Sequence, residues 1–506
     1  MLRILATVLL ITTFSQWLFA ETISPDDARI RYTGRWNHST LHSPWIAWQG
    51  SSIAVQVSGG NISIELENHG SADQFRVIID EEPNDQVLHV KPGRHRYVLA
   101  AGLPSDMPHK IELFKETFYG KRTTFHNLQI SEGQLLNPPP RPNFRIAFFG
   151  DSNMDGTSLY SEKNSGDMGS YYGFPATTSR MLGAEMHLQA YGGARLAGPG
   201  HNTVTAFIYS QDWHHQIPGY RSGFAPQVIV VNAGANDIGQ VRGPNQVDII
   251  KDRYRAVIKV LRDVYGDSPH IVLMNAYGWD LQEPANYSRE VISGLDSKVS
   301  VLLYPWIWEL WHGSMIEHAG QSRLLAEHII NLNLGFGKIQ DAEVFDSFGR
   351  NFDVTNGSFE NAAVAGFSAF GWRYHEDGVE RIHAPDDAAD GAYFIRLQPG
   401  EQVHQGTDAT GDFEPGPTKG KQKYTLSLMI RSNSPGAKAE IGADFEEQSL
   451  YQRKNAQSHI LVANHQWREH SVVLTAPEGS WKTYVTLKSL SGDIDIDAVK
   501  MAPLTE

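Results

Sequence analysis

A serine follows a compact apolar run of the chain. Residues 145–149 read Arg-Ile-Ala-Phe-Phe, and Gly150, Asp151 and Ser152 come directly after them. At the end of a buried strand, a serine hydroxyl can attack a carbonyl carbon if a neighbouring base takes its proton. The same three residues also suit the start of a helix, where Asp or Ser caps the first backbone amides. Ser152 is therefore a candidate nucleophile that needs partners elsewhere in the chain.

Two further segments supply groups that could stabilise a tetrahedral intermediate. Asn236 lies in Gly-Ala-Asn-Asp after the apolar run 227–231, and its side-chain amide is a suitable donor to a developing oxyanion. Gly192 and Gly193 follow Tyr191, and a glycine in this loop can offer a backbone N–H. Gly192 and Gly193 compete for this role and the sequence does not separate them, and the backbone N–H of Ser152 is expected to face the same space.

The elements around these residues predict a parallel sheet. Apolar strands are expected at 145–149, 227–231, 271–275 and 299–304, and helical segments such as the amphipathic stretch 252–265 lie between them. This alternation is typical of an α/β fold with helices on both faces of the sheet. Functional side chains then meet at the carboxyl ends of the strands, where Ser152 and Asn236 lie.

The remaining segments predict a multi-domain chain. Alternating residues predict strands at 51–57, 61–66, 75–79, 96–99, 110–114 and 123–130, and a proline-rich linker follows at 137–142. A second set of strands is expected at 354–360, 393–397, 424–431, 471–475, 481–488 and 494–501. We therefore predict a β-sandwich at 21–137, a three-layer α/β domain at 138–345 and a C-terminal β-sandwich at 346–506.

The first twenty residues predict a secretory signal peptide. Arg3 precedes a mostly apolar run, and Ala20 is a suitable cleavage site. The chain has 506 residues and no cysteine, which excludes disulfides and thiol nucleophiles. Export without cysteine favours a bacterial periplasmic or extracellular protein, with no membrane span after cleavage.

The net charge of the chain indicates which classes of partner it can bind. The 43 Lys and Arg residues against 57 Asp and Glu give a formal charge of −14, which argues against a nucleic-acid partner. His201 and the His214–His215 pair have no acidic or histidine partner at ligand spacing, so no metal is expected in the catalytic site.

The serine, loop glycine and asparagine, in this order, resemble the first three sequence blocks of the SGNH (GDSL-type) hydrolases. Residues 31–36, 47–52, 77–80, 109–117 and 133–136 are also similar to the leading jelly-roll sandwich of carbohydrate esterase family 2. The resemblance implies a cofactor-free serine esterase that removes O-acetyl groups from a plant polysaccharide such as xylan or mannan through an acyl-enzyme. It also assigns Ser152 as nucleophile, and Ser152, Gly193 and Asn236 as oxyanion donors.

The resemblance leaves two histidines open as the base. The family has this histidine near the start of the last helix, often with Asp three residues earlier. With a helix predicted at 321–330, His318 lies immediately before it, although Met315 occupies the Asp position. His312 has Glu309 three residues before it. We favour His318 and keep His312 as the alternative.

Aromatic side chains could bind the glycan, because indole faces stack on sugar rings. Trp279 and Trp308 are candidates in the central domain. The C-terminal segment resembles carbohydrate-binding modules of the family 4/9 type, and Trp372 and Tyr374 are its candidate ligand contacts. Such modules often carry a structural calcium, which we would place at Glu360 and Asp497.

Two other functions stay open on the sequence. A sugar O-acyltransferase of the same fold would use the same residues with a sugar in place of water. A glycan-binding protein with a degenerate hydrolase domain would explain the missing Asp-x-x-His pattern. In each case we expect a monomer that binds an acetylated polysaccharide or oligosaccharide.

Overall fold

The structure is a computed structural model. It describes residues 20–84, 87–118, 121–157, 159, 168–212, 215–216, 222–241, 243–276, 291, 297–304, 312, 315–336, 354, 356–360, 372–374, 378–406, 418–447 and 452–504. The predicted signal peptide therefore lies, except for Ala20, outside the described residues.

The N-terminal domain is an antiparallel β-sandwich. One sheet has the order β1-β11-β5-β9 with β3 on β11, and the other has the order β2-β4-β10-β6-β7 with β8 on β6. The six strands predicted in this region are all present. The strands are β1 (Glu21–Ile23), β2 (Arg31–Thr33), β3 (Trp45–Ile46), β4 (Ser52–Val57), β5 (Gly60–Asn68), β6 (Asp73–Ile79), β7 (Glu82–Pro83), β8 (Leu88–Val90), β9 (Gly93–Leu103), β10 (His109–Lys115) and β11 (Thr123–Ser131).

The central domain contains the predicted parallel sheet. Its strand order is β13-β12-β16-β17-β18, and each neighbouring pair is parallel. Its strands are β12 (Phe144–Gly150), β13 (Ala184–Ala190), β16 (Val228–Asn232), β17 (His270–Ala276) and β18 (Val299–Tyr304), with a small hairpin of β14 (Ser210–Asp212) and β15 (His215–Gln216). Its helices are α1 (Ser152–Asp155), α2 (Phe174–Met181), α3 (Val204–Ile208), α4 (Ala235–Gln240), α5 (Gln246–Tyr265) and α6 (Met315–Asn331).

Helices cover both faces of this sheet, because successive side chains of a strand point to opposite sides. On β12, Ile146 and Phe148 join a buried cluster that includes residues of α2 and α6. Ala147 and Phe149 join a second cluster that includes residues of α3 and α5. The central domain is therefore the expected three-layer α/β fold.

The C-terminal domain consists of two antiparallel sheets. Their orders are β19-β22-β27-β24-β25 and β20-β21-β28-β23-β26. The strands are β19 (Arg373–Tyr374), β20 (Val379–His383), β21 (Tyr393–Leu397), β22 (Gln402–Gly406), β23 (Lys423–Arg431), β24 (Lys438–Glu447), β25 (Gln452–Val462), β26 (Arg468–Thr475), β27 (Ser480–Ser491) and β28 (Ile494–Pro503).

Two local predictions are wrong. The strand expected at 354–360 is not formed in the described residues there, since Asn356, Gly357 and Ser358 make a turn and Asn356 has a φ of 51°. The last helix of the central domain begins at Met315 rather than Gln321, which places His318 inside the helix. In the described part of the chain, no helix combines the length and apolar character needed to cross a bilayer.

Candidate active site

Ser152 lies in a tight turn at the carboxyl end of β12 and is the first residue of α1. The Asp151 side chain caps this helix, because its Oδ1 accepts the N–H of Asn153 at 3.1 Å. Gly150 is required by close packing, since a Cβ there would lie 2.6 Å from the carbonyl oxygen of Asn232. The helix-cap interpretation of Gly-Asp-Ser is thus true of Asp151, and it leaves Ser152 half-buried at the edge of the sheet.

His312 is the histidine that contacts the serine. Its Nε2 lies 2.8 Å from the Ser152 Oγ, across 160 residues of sequence. Burial lowers the pKa of His312 to about 4, so the ring is neutral at neutral pH. A neutral imidazole with Nε2 facing the hydroxyl can accept the serine proton. Glu309, three residues before His312, lies outside the described residues.

The preference for His318 is wrong, because its ring is held elsewhere. His318 is fully buried, and its Nδ1 accepts the backbone N–H of Phe174 at 3.2 Å. Burial lowers its pKa to about 3, and the neighbouring His312 contributes to that direction. A ring fixed by this contact inside α6 packs the helix against α2, whereas His312 precedes the helix and reaches the serine.

The two expected oxyanion segments also lie at this edge of the sheet. Asn236 is the second residue of α4, after β16, and its Nδ2 donates to the carbonyl of Ala194 at 3.0 Å. The same nitrogen lies 3.3 Å from Asp151 Oδ2, beside the nucleophile. A Cβ built on Gly192 would lie 3.9 Å from the Cβ of Ser152, so this loop runs close to the serine.

Glycines shape both segments. Gly193 has a φ of +74°, and Gly234, which precedes α4, has a φ of +137°. A Cβ on Gly234 would also lie 2.6 Å from the hydroxyl of Tyr254, which donates to the Ala233 carbonyl. Residues with a Cβ rarely adopt such backbone angles, so glycine is needed at both positions.

A buried ion pair fixes the asparagine turn to the glycine loop. Asp237 is fully buried, and its Oδ1 contacts Arg253 of α5 at 2.6 Å. Its Oδ2 accepts the N–H of Leu196 at 2.8 Å. Asp237 therefore holds its own turn and also the chain that follows Gly193.

One buried carboxyl at the site was missed from the sequence. Asp155 is the last residue of α1, three residues after Ser152, and is fully buried. Its Oδ1 accepts the N–H and the hydroxyl of Thr157, at 2.8 and 2.6 Å. The sequence feature that could have indicated Asp155 is its position three residues after Ser152, which places both residues on the same face of a helix.

The aromatic predictions have different outcomes. Trp372 is fully buried, donates through Nε1 to the Asn356 carbonyl at 3.0 Å and packs against Phe359. It is a core residue, so its prediction as an accessible glycan contact is wrong. Trp279 and Trp308 lie outside the described residues, and only the backbone of Tyr374 is described.

The two carboxylates expected at a calcium site accept hydrogen bonds from backbone amides. Glu360 Oε1 accepts the N–H groups of Ala392 and Tyr393, and Asp497 Oδ2 accepts those of Ala389 and Asp390. Calcium needs six to eight oxygen ligands, and amide hydrogens directed at both carboxylates oppose that arrangement. Within the described residues, no three acidic or histidine side chains cluster as a metal site, and this pair fits calcium poorly.

Comparison with known proteins supports the order of a β-sandwich followed by an α/β domain. Residues 32–140 match the family described as carbohydrate esterase 2 N-terminal, and residues 148–300 match the GDSL-like lipase/acylhydrolase family. A curated relative, the cellulase/esterase CelE of Acetivibrio thermocellus, is 26% identical over 339 residues, which cover 62% of this chain. The matched part spans 40% of the length of that relative.

Solved structures show the same fold. A family two carbohydrate esterase from Clostridium thermocellum in complex with cellohexaose is 26% identical, with a TM-score of 0.52, and covers 60% of this chain and 99% of its own. The family two esterase of Cellvibrio japonicus is 19% identical with a TM-score of 0.55, over 62% of this chain and 98% of its own. An acetyl xylan esterase from Butyrivibrio proteoclasticus is 17% identical with a TM-score of 0.54, over 62% and 99%. The N-terminal sandwich and the α/β domain of this chain therefore have the domain order and the fold of the solved family two carbohydrate esterases.

Proposed function

We propose that this protein is a serine carbohydrate esterase that removes O-acetyl groups from a plant cell-wall polysaccharide of the xylan or mannan type. The observation that carries the proposal is the 2.8 Å contact between His312 Nε2 and Ser152 Oγ. A buried strand end, an asparagine amide and a glycine loop surround that contact, in a domain that matches the GDSL-like acylhydrolases.

In the first step, the Ser152 Oγ attacks the carbonyl carbon of the acetyl group. The serine proton passes to His312 Nε2, which is available because burial keeps the ring neutral. A negative charge then develops on the former carbonyl oxygen, and hydrogen-bond donors aimed at it lower the barrier.

We expect the oxyanion to accept hydrogen bonds from the Ser152 N–H, the Gly193 N–H and the Asn236 side chain. The 3.0 Å bond from Asn236 to Ala194 anchors the amide. The longer 3.3 Å contact with Asp151 is the one that a substrate oxygen would replace. Because the amide of Gly192 faces the carboxyl of Asp155, we assign the loop donor to Gly193.

In the second step, the C–O bond to the sugar breaks and His312 gives its proton to the departing sugar oxygen. The product of this step is an acetyl ester on Ser152. A water molecule then attacks that ester, His312 accepts one of its protons, and acetate leaves as Ser152 recovers its proton.

A carbohydrate substrate is supported by the relatives. One similar structure contains cellohexaose, and another is named as an acetyl xylan esterase. Residues 1–20 are part of the proposal as a secretory signal, which would deliver the enzyme to the periplasm or the medium where such polymers occur.

The direct test is acetate release from acetylated xylan and acetylated glucomannan, with 4-nitrophenyl acetate as a simple ester. Ser152→Ala and His312→Ala should each lower kcat by at least about 10³-fold, since both act in every bond-making step. His459→Ala, which changes an exposed histidine on β25, is the matched control and should retain wild-type rates.

Three outcomes separate the alternatives. Wild-type rates in Ser152→Ala would refute the serine mechanism. Activity on 4-nitrophenyl acetate without acetate release from either polymer would refute the substrate class. Acetylated sugars in place of free acetate, seen by mass spectrometry, would favour an O-acyltransferase.

A further inference from the structure

Asp155 joins the nucleophile turn to the glycine loop. Its Oδ1 is fixed by the amide and the hydroxyl of Thr157. Its Oδ2 is buried, makes no hydrogen bond of standard geometry, and faces Gly192. A Cβ on Gly192 would lie 3.8 Å from this oxygen and 3.9 Å from the Ser152 Cβ, so the carboxyl and the nucleophile approach the same residue.

The loop is also held at other points, which include the Tyr191 N–H bond to the Gly150 carbonyl at 3.3 Å and the Asn236 amide, which lies 3.3 Å from Asp151. Asn202 Nδ2 donates to the Gly192 carbonyl at 3.2 Å, and Asn236 donates to the Ala194 carbonyl. Asp155 brings a buried carboxyl from α1, which begins with Ser152, to this loop. This contact is therefore one of the determinants of the distance between the serine and the loop donor.

The surroundings of Asp155 favour the neutral, protonated form of its carboxyl. Burial raises its pKa well above the ordinary range, and the nearby carboxyl of Asp151 acts in the same direction. Within the described residues, Asp155 has no ion-pair partner. A neutral acid here adds no negative charge beside the developing oxyanion, and Asn is its closest natural mimic in size.

We propose that Asp155 is a positioning residue for the oxyanion loop, which sets Gly192 and Gly193 against Ser152 through its buried Oδ2. This inference rests on the proposed esterase function and adds a determinant of its rate. The expected consequence is an effect on kcat, because the loop acts on the oxyanion that forms after the ester is bound.

The experiment compares Asp155→Ala, Asp155→Asn and Met181→Ala on 4-nitrophenyl acetate and acetylated xylan. Met181, on α2, is buried in the hydrophobic cluster that includes Met154 of α1, so its truncation makes a cavity outside the glycine loop. Asp155→Ala should lower kcat by about 10- to 100-fold with KM changed less than about threefold, as small misplacements of catalytic groups do. Asp155→Asn should recover kcat to within about fivefold of wild type, and Met181→Ala should lower the melting temperature without lowering kcat.

Several results would overturn the inference. The first is a kcat of Asp155→Ala within twofold of wild type, or an effect of this substitution on KM alone. The second is a kcat of Asp155→Asn as low as that of Asp155→Ala. The third is a decrease in kcat in Met181→Ala equal to that in Asp155→Ala. If Asp155→Ala does not fold, the kcat of Asp155→Asn decides, and a loss above about tenfold counts against the role. Ser152→Ala is measured alongside: if it stays active the proposed function fails, and if it is inactive the result at Asp155 stands by itself.

Discussion

Gly234 offers a test of how the fold places Asn236. Replacement by alanine puts a Cβ on a residue with a φ of +137° and 2.6 Å from the hydroxyl of Tyr254. The next nearest atom of that ring is 3.5 Å away, which is ordinary contact. Tyr254→Phe therefore removes the clash and leaves the backbone cost in place.

The expected magnitudes follow from those two contributions. The backbone angle costs about 1–3 kcal/mol for a residue with a Cβ, and the clash adds about 1–3 kcal/mol of overpacking. Tyr254→Phe alone loses the bond to the Ala233 carbonyl, worth about 0.5–1.5 kcal/mol. The double variant should be at least about 1 kcal/mol more stable than the sum of the single changes predicts.

Chemical denaturation of the four proteins measures this coupling, and kcat on 4-nitrophenyl acetate measures the displacement of Asn236. Gly243→Ala is the control, because Gly243 has a φ of +109° with no atom within 4 Å of a built Cβ. It should show the backbone cost alone. Additive effects of Gly234→Ala and Tyr254→Phe would refute the clash, and an unchanged kcat in Gly234→Ala would refute the link to Asn236.

Three further outcomes are expected. On the acid side, kcat/KM should fall with an apparent pKa near that of His312, which burial lowers to about 4. The reason is that the base is inactive only when it is protonated. A fall centred on pH 6.5 would contradict the burial of the ring. Trp372→Ala should destabilise the protein by about 3–5 kcal/mol in thermal unfolding, as a core truncation does, and a change below 1 kcal/mol would contradict its burial. Glu116→Ala should cost about 3–5 kcal/mol by denaturation, because it removes the buried carboxylate that Arg76 contacts at 2.6 Å, and a loss below 1 kcal/mol would contradict that pairing.

The nucleophile and the asparagine could be predicted because each follows an uninterrupted apolar strand. Such strands in a parallel sheet end at one edge, so the order of the motifs indicates their spatial proximity. Asp155 could not be singled out in this way. A carboxyl in a short helix has no apolar pattern that reveals burial, and its neighbour Gly192 is 37 residues distant in the chain.

The assignment of His318 as the base was wrong because the predicted start of the last helix was wrong. The pattern of a base near the start of the last helix was applied to a helix expected from Gln321, whereas α6 begins at Met315. His318 therefore lies in the first turn with its ring turned to Phe174, and His312 lies three residues before the true start. Helix ends are the least certain part of a periodicity argument, because the first turn needs no buried stripe to form.

The N-terminal sandwich takes part in the geometry of the site. Glu116, which follows β10, accepts the Tyr171 N–H through Oε2 at 2.8 Å and the Ser170 hydroxyl through its carbonyl at 3.0 Å. One residue earlier, the Gly169 N–H donates to the carbonyl of Gly156, directly after the nucleophile helix. Three residues beyond Tyr171, the Phe174 N–H donates to His318 in α6. One short segment thus ties the sandwich to the turn that carries the serine and to the helix that follows His312. If Ser152 and His312 act as proposed, we expect the sandwich to help to fix the distance between them.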